Sequence, residues 1–237
     1  MKTEKYKIGG IPAILWGGDS DRVYVYVHGK NSYKEYAEEF AEIADARGIQ
    51  TLSFDLPEHG ERKKQDDCCS MANAMADLSA VADEAFANWK NVSLFACSVG
   101  AHYSLHAYAD RRFDHCLFQS PIVDMPYLVK QMFAWFDVTE ERLRTEKTVS
   151  TPIDTIRWED YSYLRAHPVH CWESPTSVLY GAKDVLQTPG IMRGFAERFC
   201  CNLTVSENSG HTFMEGEEPQ AARKWYLKNI GKAPRTK

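Results

Sequence analysis

The sequence predicts an α/β fold, a mostly parallel sheet of eight strands with helices on both faces. Short β-branched and aromatic runs alternate along the chain with longer stretches of helical periodicity, and such alternation requires right-handed crossovers between parallel strands. Residues 23–27 read V-Y-V-Y-V, apolar throughout, as a strand buried on both faces must be. The chain has 237 residues, 44% of them hydrophobic. That is enough apolar surface for a sizeable core, and it excludes a disordered polypeptide.

The elements follow in order. Residues 6–8, the Gly9-Gly10 pair and residues 11–16 read as a hairpin. A second turn at 17–21 leads into the 23–27 strand, which ends at His28-Gly29. Tyr36, Ala37, Phe40, Ile43 and Ala44 form one face of a helix over residues 33–47, stopped by Gly48. Residues 49–56 form a strand broken by Pro57, and residues 71–89 an Ala-rich amphipathic helix. The strand at 92–96 passes directly into a helix at 99–108, and the strand at 115–119 closes at Ser120-Pro121. Strands at 177–180 and 203–206, with helices at 190–199 and 218–229, complete the chain.

Residues 122–174 break the alternation. The stretch is too long for an ordinary connection and is rich in Met and aromatic residues, among them Met125, Tyr127, Met132, Phe133, Trp135 and Trp158. It is expected to be a small helical lid inserted between core segments 1–121 and 175–237, with a hinge or loop near residues 148–152.

The net charge is -5, from 28 basic and 33 acidic residues. Nucleic acid is not an expected partner, because phosphate neutralisation needs clustered Lys and Arg. The one dense charge run, residues 58–67, mixes both signs and reads as a solvated loop or helix start. No apolar stretch reaches the roughly 20 residues that span a bilayer. The first residues lack the apolar core of a secretory signal, so a cytoplasmic location is expected. Seven cysteines, an odd number with two adjacent pairs and no C-x-x-C spacing, suit small buried residues in a reducing compartment better than disulfides or structural zinc. No glycine-rich nucleotide-binding motif occurs, and no cofactor or metal is expected. Nothing in the sequence indicates an oligomeric state.

The chemistry is concentrated in Leu94-Phe95-Ala96-Cys97-Ser98-Val99-Gly100-Ala101-His102. An apolar strand ends, a serine sits at the turn and a helix begins. Small residues two positions either side, Ala96 and Gly100, permit a tight bend that lifts the serine Oγ clear of the sheet, and the helix N-terminus favours developing negative charge. The same pattern also suits a serine that merely caps an ordinary βα unit. A nucleophilic serine needs a base, and the base needs an orienting acid. Downstream, Gly181-Ala182-Lys183-Asp184 places an aspartate just past a buried strand, and Ser209-Gly210-His211 places a histidine in the loop before the last helix. Ser98, Asp184 and His211 all fall beyond C-terminal strand ends, where open parallel sheets bind ligands.

These motifs resemble those of the α/β-hydrolases over nearly the whole chain. The matching features are His28-Gly29, Asp55-Leu56-Pro57-Glu58-His59-Gly60-Glu61, the Ala96 to Gly100 elbow, the Asp184 motif and the His211 motif. One departure is Ala96, where the family's elbow commonly has glycine. The resemblance implies that Ser98 is the nucleophile, His211 the general base and Asp184 its orienting acid. It also implies an oxyanion hole made by the backbone N–H groups of Val99 and Lys30, with Asn31 the alternative to Lys30.

Other candidates weigh less. His28 reads as a shaper of the oxyanion loop, and His59 with Gly60 as a turn signature. His102 and His106 have the i, i+4 spacing of metal ligands but no third ligand. Cys97 adjoins Ser98 but points elsewhere. Asp124 is a second candidate for the acid. Ile122, Asp124, Met125 and Tyr127 at the stem of the insert, with Tyr33 on the oxyanion loop, are the expected pocket residues, and Lys30 could favour a substrate carboxylate. The expected function is hydrolysis of small or medium acyl or aryl carboxylic esters. Aminopeptidase-like and thioesterase activities remain open, as does a catalytically silent binding protein on the same fold.

Overall fold

The computed structural model describes residues 1–64 and 68–231. Residues 65–67, the end of the mixed charge run, and residues 232–237, the end of the second core segment, lie outside the described residues. Ten strands and eight α-helices are seen among the described residues: β1 (Thr3–Ile8), β2 (Ile11–Trp16), β3 (Arg22–Val27), α1 (Glu38–Asp45), β4 (Gln50–Phe54), α2 (Met71–Asn88), β5 (Asn91–Cys97), α3 (Val99–Ala107), β6 (Cys116–Gln119), α4 (Met125–Trp135), α5 (Glu140–Glu146), β7 (Thr148–Ser150), β8 (Thr155–Arg157), α6 (Trp158–Ala166), β9 (Thr176–Gly181), α7 (Pro189–Arg198), β10 (Asn202–Ser206) and α8 (Glu218–Asn229).

The large sheet has eight strands in the order β1-β2-β4-β3-β5-β6-β9-β10. The β1–β2 hairpin and the β2–β4 pair are antiparallel, and the other pairs are parallel. From β3 the chain winds outward to β4 on one side and then returns to β5 on the other. That reversal opens a crevice beyond the C-terminal ends of β3 and β5.

The V-Y-V-Y-V run shows how one sequence serves two faces. Val23, Val25 and Val27 pack into the core under α2 and α3, whereas Tyr24 and Tyr26 pack into the opposite core with α1 and α8. There Phe40 of α1 meets Tyr24 edge-on at 5.1 Å and Tyr26 at 5.6 Å between ring centroids. The helix expected over 33–47 begins as a 3-10 turn at Lys34–Ala37. Lys34 is held there by Asp55, which accepts from its backbone N–H at 2.9 Å and from its ammonium at 2.8 Å.

The insert carries its own core, in which Leu128, Val129, Met132, Leu143, Val149 and Tyr161 are buried. Beside the expected helices it holds a pair of short strands. Residues 148–152, read from the sequence as a hinge or loop, enter a small antiparallel hairpin in which Val149 pairs with Ile156. Alternation of Val149 and Ile156 with polar neighbours suffices for two three-residue strands, since only those two side chains turn inward. No helix among the described residues is long and apolar enough to cross a membrane.

Buried histidines make this fold acid-sensitive. Nε2 of His28 accepts the Leu56 N–H at 3.1 Å and its Nδ1 donates to the Gly29 carbonyl at 2.8 Å, an arrangement open only to the neutral ring. Burial pushes His28 down to about 4, His115 to about 4 and His102 to about 3. Their folded values lie below the ordinary histidine value, so the unfolded chain takes up protons first. Stability is therefore complete above about pH 6.5 and falls as pH drops toward 4, by about 1.4 kcal/mol per pH unit for each such ring. Thermal melts are expected to show a lower midpoint at pH 5 than at pH 7.5, and an unchanged midpoint would contradict this burial.

Candidate active site

Ser98 stands between β5 and α3 with φ 52° and ψ -121°, a backbone conformation that costs a non-glycine residue on the order of 1–3 kcal/mol. Backbone hydrogen bonds hold it on both sides. Its N–H donates to Gln119 O at 3.0 Å, and its carbonyl accepts from Ile122 N at 3.1 Å and Ala101 N at 3.2 Å. The small residues are required as the sequence suggests. A Cβ on Gly100 would lie 2.3 Å from the His28 carbonyl oxygen, and Ala96 is fully buried. Gly29 brings the turn after β3 against the elbow, its Cβ direction ending 3.1 Å from Ser98 Cβ.

His211 and Asp184 arrive from two further loops. Ser98 Oγ lies 2.7 Å from His211 Nε2, and His211 Nδ1 lies 2.7 Å from Asp184 Oδ2. The other Asp184 oxygen accepts the Leu186 N–H at 2.7 Å. The Asp184 side chain has no exposed surface, whereas that of His211 is 16% exposed. Gly181 lets the two loops touch, because a Cβ there would come 2.3 Å from the Gly210 carbonyl oxygen. Lys183 N donates to Ser209 O at 2.9 Å across the same contact.

Two positioning residues were not singled out in the sequence. Glu218, at the start of α8, accepts the Gly210 N–H at 2.7 Å and so anchors the residue before His211. That bond and a second from Glu215 hold its carboxyl below the usual range. Gln187 is fully buried; its Oε1 accepts from the N–H groups of Val123 at 3.1 Å and Asp124 at 2.9 Å, and its Nε2 donates to the Asp124 carbonyl. It ties the Asp184 loop to the stem of the insert. A Glu in a first helical turn is the one sequence signal for Glu218; Gln187 has none.

Val99 follows the serine in the chain and Lys30 follows Gly29, which approaches Ser98; the N–H groups of both make no hydrogen bond among the described residues. Val99 opens α3, so no carbonyl lies one turn back to receive its proton. Lys30 and Asn31 form the middle of a turn closed by Ser32 N and Gly29 O at 3.4 Å, with Asn31 at φ 60°. The Lys30 ammonium pairs with Asp154 of the insert at 2.5 Å. That pairing with the insert competes with any substrate carboxylate for the same ammonium.

Asp184, and not Asp124, is the carboxylate hydrogen-bonded to His211. The Asp124 carboxylate caps α4 by accepting the Tyr127 N–H at 2.9 Å. Beside Val99 lies a cavity of about 70 Å³, walled by Met125, Val129, Met132 and Ile156 with Asp154 and Arg157 at its side. Met125 lines it as expected. Ile122 instead packs into the core of the insert, Tyr33 meets Tyr36 edge-on at 4.8 Å, and Tyr127 lines neither this cavity nor the larger one beyond it. The pocket is built mainly by side chains far along the insert, out of reach of a strand-end argument. Burial pushes the Cys97 thiol up to about 12, so it offers no thiolate. His28 and His59 both bond to nearby backbone as turn shapers. No cluster of three metal-ligating side chains forms among the described residues, so His102 and His106 lack a third ligand.

No protein-family model matches the sequence, and no curated protein does. Solved structures do resemble the chain in shape. Est1E from Butyrivibrio proteoclasticus with ferulic acid bound superposes with a TM-score of 0.76 at 16% identity, over 97% of this chain and 100% of that one. Alpha/beta hydrolase domain-containing protein 10 from mouse gives 0.76 at 14% identity, over 97% and 98%. An esterase from Pyrococcus furiosus gives 0.68 at 17% identity, over 97% and 91%.

Proposed function

We propose, from the α/β-hydrolase fold that the chain shares with these structures, that it is a serine hydrolase of carboxylic esters. The observation that carries this is the hydrogen-bonded chain from Asp184 through His211 to Ser98, with the serine at a strained strand–helix turn. Ser98 Oγ attacks the acyl carbonyl while His211 Nε2 takes its proton. The carbonyl oxygen becomes an oxyanion, which the N–H groups of Val99 and Lys30 receive, each such donor contributing about 3 kcal/mol to the transition state. Collapse of this intermediate breaks the ester bond, and His211 returns the proton to the departing alcohol. Water then adds to the acyl carbon while His211 takes its proton, and as the bond to Ser98 Oγ breaks His211 returns that proton to the serine and the acid leaves. Throughout, Asp184 fixes the proton on His211 Nδ1 and stabilises the imidazolium.

The apolar walls beside Val99, formed by Met125, Val129, Met132 and Ile156, support a part transferred that is apolar where it leaves the serine. All seven cysteines are free, which supports a reducing, cytoplasmic setting. One preparation assayed against matched p-nitrophenyl esters, acyl thioesters and aminoacyl p-nitroanilides tests the class of bond. The esters are expected to give the highest kcat/KM. Cleavage of the anilides with the esters untouched would transfer the reading to a peptidase.

A further inference from the structure

A second cavity, of about 320 Å³, adjoins the one beside Val99. His102, Met125 and Leu164 line both, so these three side chains form the partition between them. The volumes differ in what they can hold. At about 70 Å³ the inner cavity has room for little more than two waters' share of liquid volume, roughly 30 Å³ each. The outer one reaches the lower end of the range of small-molecule sites, about 300–1,000 Å³. The partition contains a methionine, whose unbranched thioether yields easily to a ligand.

The polar groups of the outer cavity have no use in the ester chemistry. His102 is 2% exposed, and neither of its ring nitrogens has a hydrogen-bond partner. An unpaired buried polar ring is costly and calls for a ligand. His106, one turn further along α3, stands 4.9 Å from it between ring centroids and lines the same cavity. Both rings are neutral, since burial pushes His102 down to about 3 and His106 to about 4. Asp124 shares their wall, and Arg198, which also lines the cavity, lies over Phe199 and donates to the His170 carbonyl. Neutral imidazoles beside a carboxylate suit a hydroxyl and repel an anion. Along α3 the backbone positions of His102 and His106 are offset from the serine by roughly 6 and 12 Å of helical rise.

We propose that this outer cavity binds the far end of the substrate's acyl group, and that this end is an apolar chain or ring carrying a neutral hydroxyl, received by His102 and His106 after the group passes Met125. The proposal rests on the ester-hydrolase reading and names the substrate class for it.

Gly194 of α7 lines the outer cavity alone of the two, and a Cβ there meets nothing within 4 Å. Gly194→Trp therefore fills that space without strain, at a helical position where glycine is itself unfavourable. Val169→Trp, at another lining position, fills it independently. Rates are compared for p-nitrophenyl acetate, decanoate, 10-hydroxydecanoate and the monoester of decanedioic acid. The unmodified protein is expected to favour 10-hydroxydecanoate over decanoate by roughly fivefold, the worth of one hydrogen bond, and to disfavour the acid. Both tryptophan variants are expected to lose about tenfold or more on the long esters while acetate stays within about twofold. Unchanged long-ester rates in both variants, or a preference for the acid, would overturn the proposal. Calorimetry with 1,10-decanediol separates the two readings. Binding that both tryptophan variants abolish supports the cavity even if no ester is hydrolysed, in which case the hydrolase reading fails alone. Absence of binding to the unmodified protein, or equal binding to the variants, overturns the cavity proposal while acetate turnover still supports the hydrolase.

Discussion

Ser98→Ala is expected to lower kcat on p-nitrophenyl acetate by about 10⁶-fold, the scale on which removal of a triad nucleophile acts in serine hydrolases. The loss follows from placement. Ser98 Oγ is the hydroxyl 2.7 Å from His211 Nε2, and Cys97 beside it packs into the core under α1 and α8. The substitution removes one partly buried hydroxyl and leaves the backbone contacts of the turn, which run through Ser98 N and O to Gln119, Ala101 and Ile122. The melting midpoint should therefore stay near that of the parent protein. A fluorophosphonate probe should label the parent and fail to label the variant. Activity retained within tenfold would assign the nucleophile elsewhere.

Asp184→Asn is expected to lower kcat by about 10⁴-fold with little change in KM, the effect of the same substitution in trypsin's triad. The introduced carboxamide would keep an oxygen for the Leu186 N–H, now accepted at 2.7 Å. Its NH₂ group then faces His211 Nδ1 as a donor and drives the proton to Nε2, where the ring can no longer accept from Ser98. The fold should survive, because the swap is nearly isosteric. Steady-state kinetics at pH 7.5 check it, and a loss below tenfold would mean that His211 takes its orientation from another group.

Both expectations come from residues legible in the sequence. Ser98 was marked by small neighbours at a strand–helix junction, and Asp184 and His211 by their places past strand ends. Local signals were enough there because each requirement is local: a bend without clash, or a loop at a sheet edge. The strand alternation was legible for the same reason, since V-Y-V-Y-V must bury both its faces.

What was not legible depends on contacts between distant segments. Glu218 acts on a backbone N–H eight residues earlier, and Gln187 on two N–H groups more than sixty residues away. Lys30 meets Asp154 across 124 positions. The β7–β8 hairpin was hidden by the Thr-Pro dipeptide at 151–152, which dominates the local pattern although it occupies the turn and leaves the flanking strands free. Ile122 and Tyr127 were expected in the pocket because they follow a strand end, but α4 turns Ile122 into the core of the insert and keeps Tyr127 off both cavity walls.

The claim that Ser98 carries the acyl group is tested most directly by trapping it. The protein is mixed with p-nitrophenyl acetate, quenched with acid during the first turnover, digested and read by mass spectrometry. An acetyl group on the Ser98 side chain, absent from Ser98→Ala and accumulating in a burst of p-nitrophenol, is the result expected here. Turnover with Ser98 unmodified, or with the acetyl group on Cys97, would contradict it.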